Sequence, residues 1–303
     1  MSTAEPIVDS HHHLWDTVNN NYPWLVPPSP SDPVGVMGDL TGLPRPWLID
    51  DYLAHAERNG IIKSVHVEAL WGDDPVDETR WVQAVADQHG FPHGIVPRVE
   101  LRDPAVGETI DRHLESPNVR GVRECVNWDD EDPGKRFCDS GELMLNPSWR
   151  RGFADLAARD LSFDLYCNST QLLPEAVHLA CAFPETQIVL EHTGTPFDRS
   201  EEGLRAWRDG IAAMAAQENV VLKLSGMGMS DHDWTVDSIR PFILGAIEAF
   251  GPERCMFATN TPADLLYSSF EAIVKAFREL IADFSAGERA AMLSGTATRV
   301  YRI

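Results

Sequence analysis

From residue 61 onward the chain repeats one unit, a short apolar run followed by a stretch of helical period, and this alternation constrains its fold more than any motif does. Strands are predicted at 63–70, 93–101, 119–126, 162–167, 187–192, 220–225 and 255–260, and an earlier one leads from Ile7 into a run of histidines. Helices are predicted between them at about 78–89, 104–114, 147–159, 174–183, 201–217, 236–250 and 268–282. A further helix reads from the N-cap pair Asp50-Asp51 to Asn59, where Gly60 supplies the stop signal. Eight strands alternating with helices imply an α/β protein of the (β/α)8 TIM-barrel type, one domain spanning 1–303. A long Pro- and Gly-rich loop, 17–45, follows the first strand, and its tryptophans favour a packed lid. An extra C-terminal helix begins at Ser285, which forms a capping box with Glu288, and runs to about Tyr301. A doubly wound open sheet is the alternative, but no Gly-rich dinucleotide fingerprint follows an early strand.

Composition narrows the partners. The 47 acidic residues outnumber the 25 basic ones, for a formal charge of −22. Such a field repels phosphate backbones and anionic membrane surfaces, so neither nucleic acid nor membrane is an expected partner. A small-molecule substrate is, and a homo-oligomer stays open. The five cysteines (Cys125, Cys138, Cys167, Cys181, Cys255) show no C-x-x-C pair, and the chain opens with no basic region ahead of an apolar core. A cytoplasmic location is the expectation.

In a barrel, chemistry collects at the carboxyl ends of the strands, and titratable residues fall there. His11 and His13 lie two positions apart and so share a face of the first strand, as a metal-ligand or oxyanion pair would. The later strands bring His66 and Glu68, Arg98 and Glu100, Arg120 and Arg123, His192, Lys223 and Asn260. Glu68 and Arg98 also read as members of structural ion-pair networks plugging the barrel. Arg123 suits a substrate carboxylate or a neighbouring glutamate. Lys223 reads as a substrate contact or a satisfied barrel cation, and His66 as a buried, hydrogen-bonded histidine.

With these positions in hand, the chain resembles the amidohydrolase superfamily, in its branch of TIM-barrel hydrolases that includes sugar-acid and muconolactone lactonases. The resemblance covers nearly the whole chain. It rests on V-D-S-H-H-H-L-W-D at the start, V-E-A-L-W and E-T-R-W, V-R-G-V-R, L-E-H-T-G-T-P, L-K-L-S-G and M-F-A-T-N-T-P-A-D. It implies water attack on a lactone or similar ester-like bond of a small, carboxylated substrate. His11, His13 and His192 match the positions at which some members hold a divalent metal such as zinc; others work without one, and both alternatives stand here. Asn260 occupies the place where many members carry an aspartate, and an amide cannot take a proton from water near neutral pH. That leaves His192, Asp264 and Glu68 as candidates for the base, with Asn260 as an acceptor. Arg123, Lys223 and Trp24 are the expected substrate contacts. Strand five departs as well, reading Asn168-Ser169-Thr170-Gln171 where relatives often show a histidine. The rival readings are a metal-dependent decarboxylase of a small aromatic or unsaturated acid, and a non-catalytic barrel that binds a small ligand.

Overall fold

Valines set the inner surface of the molecule. Val8, Val65, Val67, Val96, Val189 and Val221 pack together in a cluster separate from the main core, as β-branched residues of alternating strands do when a parallel sheet closes on itself. In the computed structural model, which describes residues 5–25 and 35–303, the strands are β1 (Ile7–His12), β2 (Ile61–Val67), β3 (Gly94–Val96), β4 (Gly121–Cys125), β5 (Ser162–Tyr166), β6 (Ile188–Leu190), β7 (Val220–Leu224) and β8 (Cys255–Phe257). They form two all-parallel sheets, β1-β2-β3 and β4 through β8. Bridges Ile95–Val119 and Arg98–Arg123 join β3 to β4, and His12–Thr261 joins the exit of β8 to β1, so the ring is complete.

The helices are α1 (Ile49–Asn59), α2 (Pro75–His89), α3 (Val106–His113), α4 (Pro147–Ala158), α5 (Val177–Ala182), α6 (Glu201–Ala215), α7 (Met227–Ser230), α8 (Val236–Phe250), α9 (Phe270–Leu280), α10 (Ala286–Ala290) and α11 (Thr296–Tyr301). Their ends follow local chemistry. Before α2, Asp74 accepts from the Val76 amide at 3.0 Å and Pro75 takes the first position; before α4, Asn146 caps Ser148 at 2.8 Å. Asp50-Asp51 is not the N-cap of α1: the helix starts at Ile49, and Asp51 reaches back to the Leu48 amide at 2.9 Å. The Ser285–Glu288 capping box forms, but a wider turn at Ala291–Gly295 divides that helix into α10 and α11.

Several strands are shorter than their apolar runs. β3 stops at Val96 because Pro97 follows and cannot donate to the ladder. β8 stops at Phe257 because the Thr259 amide and hydroxyl turn to the Asp9 carboxylate, at 2.9 and 2.7 Å, and Asn260 adopts φ +53°. Within loop 17–45, residues 26–34 lie outside the described set. On either side of them Arg45 donates to the carbonyls of Leu25 and Leu40, at 2.6 and 2.9 Å, and draws the two arms together. All five cysteines are free thiols. No helix among the described residues is long and apolar enough to cross a membrane.

Candidate active site

The strand period of two is interrupted in β1 by a register shift between Asp9 and His12, after which His11 and His13 face the barrel axis. Their Nε2 atoms lie 3.2 Å apart. The Val67 carbonyl, 2.8 Å from His13 Nδ1, takes a proton there and leaves Nε2 as a lone pair. Glu191 Oε1, 3.0 Å from His11 Nδ1, has the same effect on that ring when it accepts from that nitrogen, which the Lys223 ammonium also approaches at 3.2 Å. Two lone pairs facing each other at 3.2 Å repel unless a proton or cation lies between them.

His192 completes the group from the end of β6, its ring 4.7 Å from that of His11. The turn that carries it is strained: His192, Thr193 and Thr195 have φ of +53°, +56° and +46°. Gly226 makes room for it, since a Cβ at that glycine would fall 2.6 Å from the Cβ of His192. Nδ1 of His192 is 3.0 Å from Ser225 Oγ, which leaves Nε2 toward the cavity. Burial keeps all three imidazoles neutral: His11 lies well below the usual histidine range, His13 is pushed down to about 3 and His192 to about 4. Neutral rings with free Nε2 atoms are the state in which histidine binds a divalent cation, so the donor set fits one. Glu191 is also near: His11, Glu191 and His192 bring donor atoms within 4.8 Å of one another.

Below the imidazoles runs a buried ladder of charge. Arg123 donates to Glu68 Oε1 from Nε at 2.8 Å and to Glu191 Oε2 from Nη1 at 3.1 Å, and its Nη2 reaches the Glu68 carbonyl at 2.8 Å. Lys223 Nζ is 2.6 Å from Asp164 Oδ2 and 3.3 Å from Glu191 Oε1. Tyr301 of α11 donates to Asp164 at 2.7 Å and closes the floor. Burial would raise Glu191, but the charges of Arg123 and Lys223, with the hydrogen bond from the His11 ring, hold it well below the usual carboxylate range. The ladder fixes one charged oxygen under His11 and orients that ring.

This arrangement revises several expected roles. Arg98 is not the partner of Glu68; Arg123 is, because the β2 and β4 side chains meet across the axis. Arg123 lines the cavity and is held there by Glu68 and Glu191, each of its three nitrogens making one hydrogen bond to them. Lys223 is fully buried beneath the cavity and meets Asp164, Glu191 and, at 3.2 Å, His11 Nδ1, not the space a substrate would fill. Glu68 lines the cavity, but Arg123 holds Oε1 and the Leu70 amide holds Oε2 at 2.7 Å, so it is poorly placed to take a proton. Asp264 lies behind Asn260: its Oδ1 accepts from Asn260 Nδ2 at 3.4 Å, and burial pushes its carboxyl up to about 7. That bond turns the amide nitrogen away and presents the Asn260 oxygen to the cavity, which Asn260 lines. Trp24 lines the same cavity and packs edge-on to Trp15, at 5.5 Å. His66 is buried, as expected, but neither ring nitrogen has a hydrogen-bond partner among the described residues.

Sequence reasoning missed Glu191 and Tyr166. Both were legible in principle, since Glu191 follows Val189 by two on β6 and Tyr166 ends β5 at the cavity mouth. The Asn168–Gln171 segment acts structurally: Asn168 and Gln171 bond the Trp128 backbone at 3.0 and 2.9 Å and hold the loop after β4. The cavity above the imidazoles measures about 310 Å³, room for a small molecule.

Comparison with known proteins agrees with this geometry. A family model described as amidohydrolase matches residues 8–303. An uncharacterised protein of Sinorhizobium fredii is 42% identical over 300 residues, 98% of each chain. A protein of Burkholderia multivorans named L-fucono-1,5-lactonase is 30% identical over 310 residues, 98% of this chain and 96% of its own. A crystal structure of a B. multivorans amidohydrolase with bound zinc superposes with a TM-score of 0.81 at 27% identity, covering 98% of this chain and 99% of the other.

Proposed function

The chain belongs to the amidohydrolase family of TIM-barrel hydrolases, and from that premise we propose that it opens a lactone ring by attack of water on the ring carbonyl. One observation carries the reading: three neutral imidazoles meet at one end of the barrel, His13 and His192 lining the cavity and His11 packed directly behind them, with no Nε2 committed to another element of the fold. The lactonase-named relative supplies the bond class.

His11 and His13 would hold a divalent cation together with His192, and the Asn260 oxygen stands at the edge of that set. Zinc is the metal we favour, because a similar structure binds it. When bound, such a cation polarises the carbonyl and makes water a better nucleophile at neutral pH. The chain's own groups do the rest. Glu191 keeps the His11 ring oriented, and the Val67 carbonyl does the same for His13. In the metal-free alternative His192 is the group placed to receive the proton: with Nδ1 on Ser225, its Nε2 accepts from water as the new C–O bond forms, whereas a cation held on that nitrogen would take up the same lone pair. The same proton then passes to the ring oxygen as the ester C–O bond breaks, giving a hydroxy acid. Asp264 acts through Asn260 by fixing which way the amide faces.

His192→Ala tests the assignment across a panel of lactones, and unchanged rates would remove it from the mechanism. Chelation followed by metal analysis tests the cation: activity that survives quantitative removal of metal leaves a metal-free reaction on the same imidazoles.

A further inference from the structure

The floor of the cavity reacts, but its walls meet the part of the substrate that does not. Those walls are Trp15, Trp24, Met37, Phe137, Tyr166 and Met229. Both indoles have spent their polar atom: Trp15 Nε1 donates to the Pro44 carbonyl at 2.9 Å and Trp24 Nε1 to the Ala69 carbonyl at 2.7 Å. They therefore present ring surface. Tyr166 stands edge-on to His192 with centroids 5.2 Å apart, and Phe137 lies against Tyr166 at 5.6 Å. An aromatic corner thus rises directly from the reacting imidazole.

Away from the imidazoles, most polar side chains at the cavity are already engaged. Glu68 and Arg123 bond each other and their neighbours, and Asn260 Nδ2 faces Asp264. Arg136, at the rim, donates from Nε and Nη2 to the carbonyls of Asp129 and Asp130 and lies over the Trp128 ring at 4.4 Å. Among the described residues, the Tyr166 hydroxyl, the Asn260 oxygen and Arg136 Nη1 are left without a protein hydrogen bond around this cavity. A polyhydroxylated ring held here would lose water from several hydroxyls and regain few partners. A planar apolar ring would gain burial on every side.

From this wall we propose that the substrate is a lactone whose non-reacting portion is an uncharged aromatic or unsaturated group, not a polyol lactone. The inference rests on the lactone-opening reading of the floor and adds to it the class of substituent. Phe137 is the residue through which that preference is set at the rim, where it is 39% exposed and replaceable without opening the core.

The test compares dihydrocoumarin, an aryl lactone, with L-fucono-1,5-lactone as the polyol probe. Dihydrocoumarin should be favoured in kcat/KM by about 100-fold. Phe137→Ser should raise its KM by about tenfold and narrow its advantage over the polyol by the same factor. A preference for the polyol, or an equal effect of Phe137→Ser on both substrates, overturns the inference and leaves the lactonase reading standing. Should neither lactone be opened, the lactonase reading fails by itself. Binding to the His192→Ala protein, read by tryptophan fluorescence, then decides: tighter binding of dihydrocoumarin supports the apolar site, and equal or no binding overturns it.

Discussion

The two faces of β1 carry the same kinds of side chain and use them differently. On the outer face, the Asp9 carboxylate accepts from the Tyr52 hydroxyl and from Thr259, and His12 stacks on Tyr52 at 4.0 Å with Nε2 3.0 Å from Ser64 Oγ. On the inner face, His11 and His13 are held just as firmly by Glu191 and the Val67 carbonyl. Spare nitrogens do not separate the two, because His12 Nδ1 also lacks a partner among the described residues. What separates them is the space ahead: the spare nitrogen of His12 is sealed within the protein, whereas His13 lines the active cavity and His11 Nε2 lies 3.2 Å behind it. A free lone pair becomes chemistry only where a ligand can reach it.

Mutation of the inner face should produce the largest effect. His13→Ala is expected to lower kcat/KM by about 1000-fold and to reduce bound metal, with the circular dichroism of the fold retained. Retained metal and activity would place the reacting centre elsewhere. Glu191→Gln preserves shape but removes the charge shared by His11, Arg123 and Lys223, and should cost about 10- to 100-fold in metal affinity or rate. Metal titration and steady-state kinetics on the same preparation measure both.

The outer face should respond in stability instead. His12→Ala is expected to destabilise by about 2–4 kcal/mol in urea unfolding while the folded fraction keeps near-normal kcat/KM. An activity loss as deep as that of His13→Ala, without loss of stability, would erase the distinction between the faces.

The smallest effect sharpens it from outside. His113 has both nitrogens satisfied, Nδ1 2.8 Å from Thr79 Oγ1 and Nε2 3.1 Å from the Arg98 carbonyl, and burial pushes it down to about 4. Its neutral form is the one the fold favours. The stability it contributes is therefore complete above the ordinary value of 6.5 and is lost as pH falls toward 4. His113→Asn should flatten that part of the urea-midpoint profile between pH 7 and 4 without altering kcat at pH 7.

The barrel was legible because strand and helix periods alternate so regularly, and the inner pair of β1 because two positions share a face. The less regular features were not. The ends of β3 and β8 depend on Pro97 and on the reach of Asp9 across to Thr259, and the second of these is a contact between the two ends of the chain. Arg123 and Lys223 misled for a related reason. A sequence shows that a cation is present, but only packing shows that Glu68, Glu191 and Asp164 have already claimed it. Asp264 was found by proximity to Asn260, yet its position behind that residue depends on the left-handed turn at Asn260.

Tyr301 gives the architecture a temporal side. Its hydroxyl ends a relay that climbs through Asp164, Lys223 and Glu191 to His11, so the first strand takes its working electrostatics from a helix made hundreds of residues later. A ribosome-bound chain still lacking α11 would hold every imidazole and yet leave the relay open at its base. The relay thus reaches its full length only once α11 has seated.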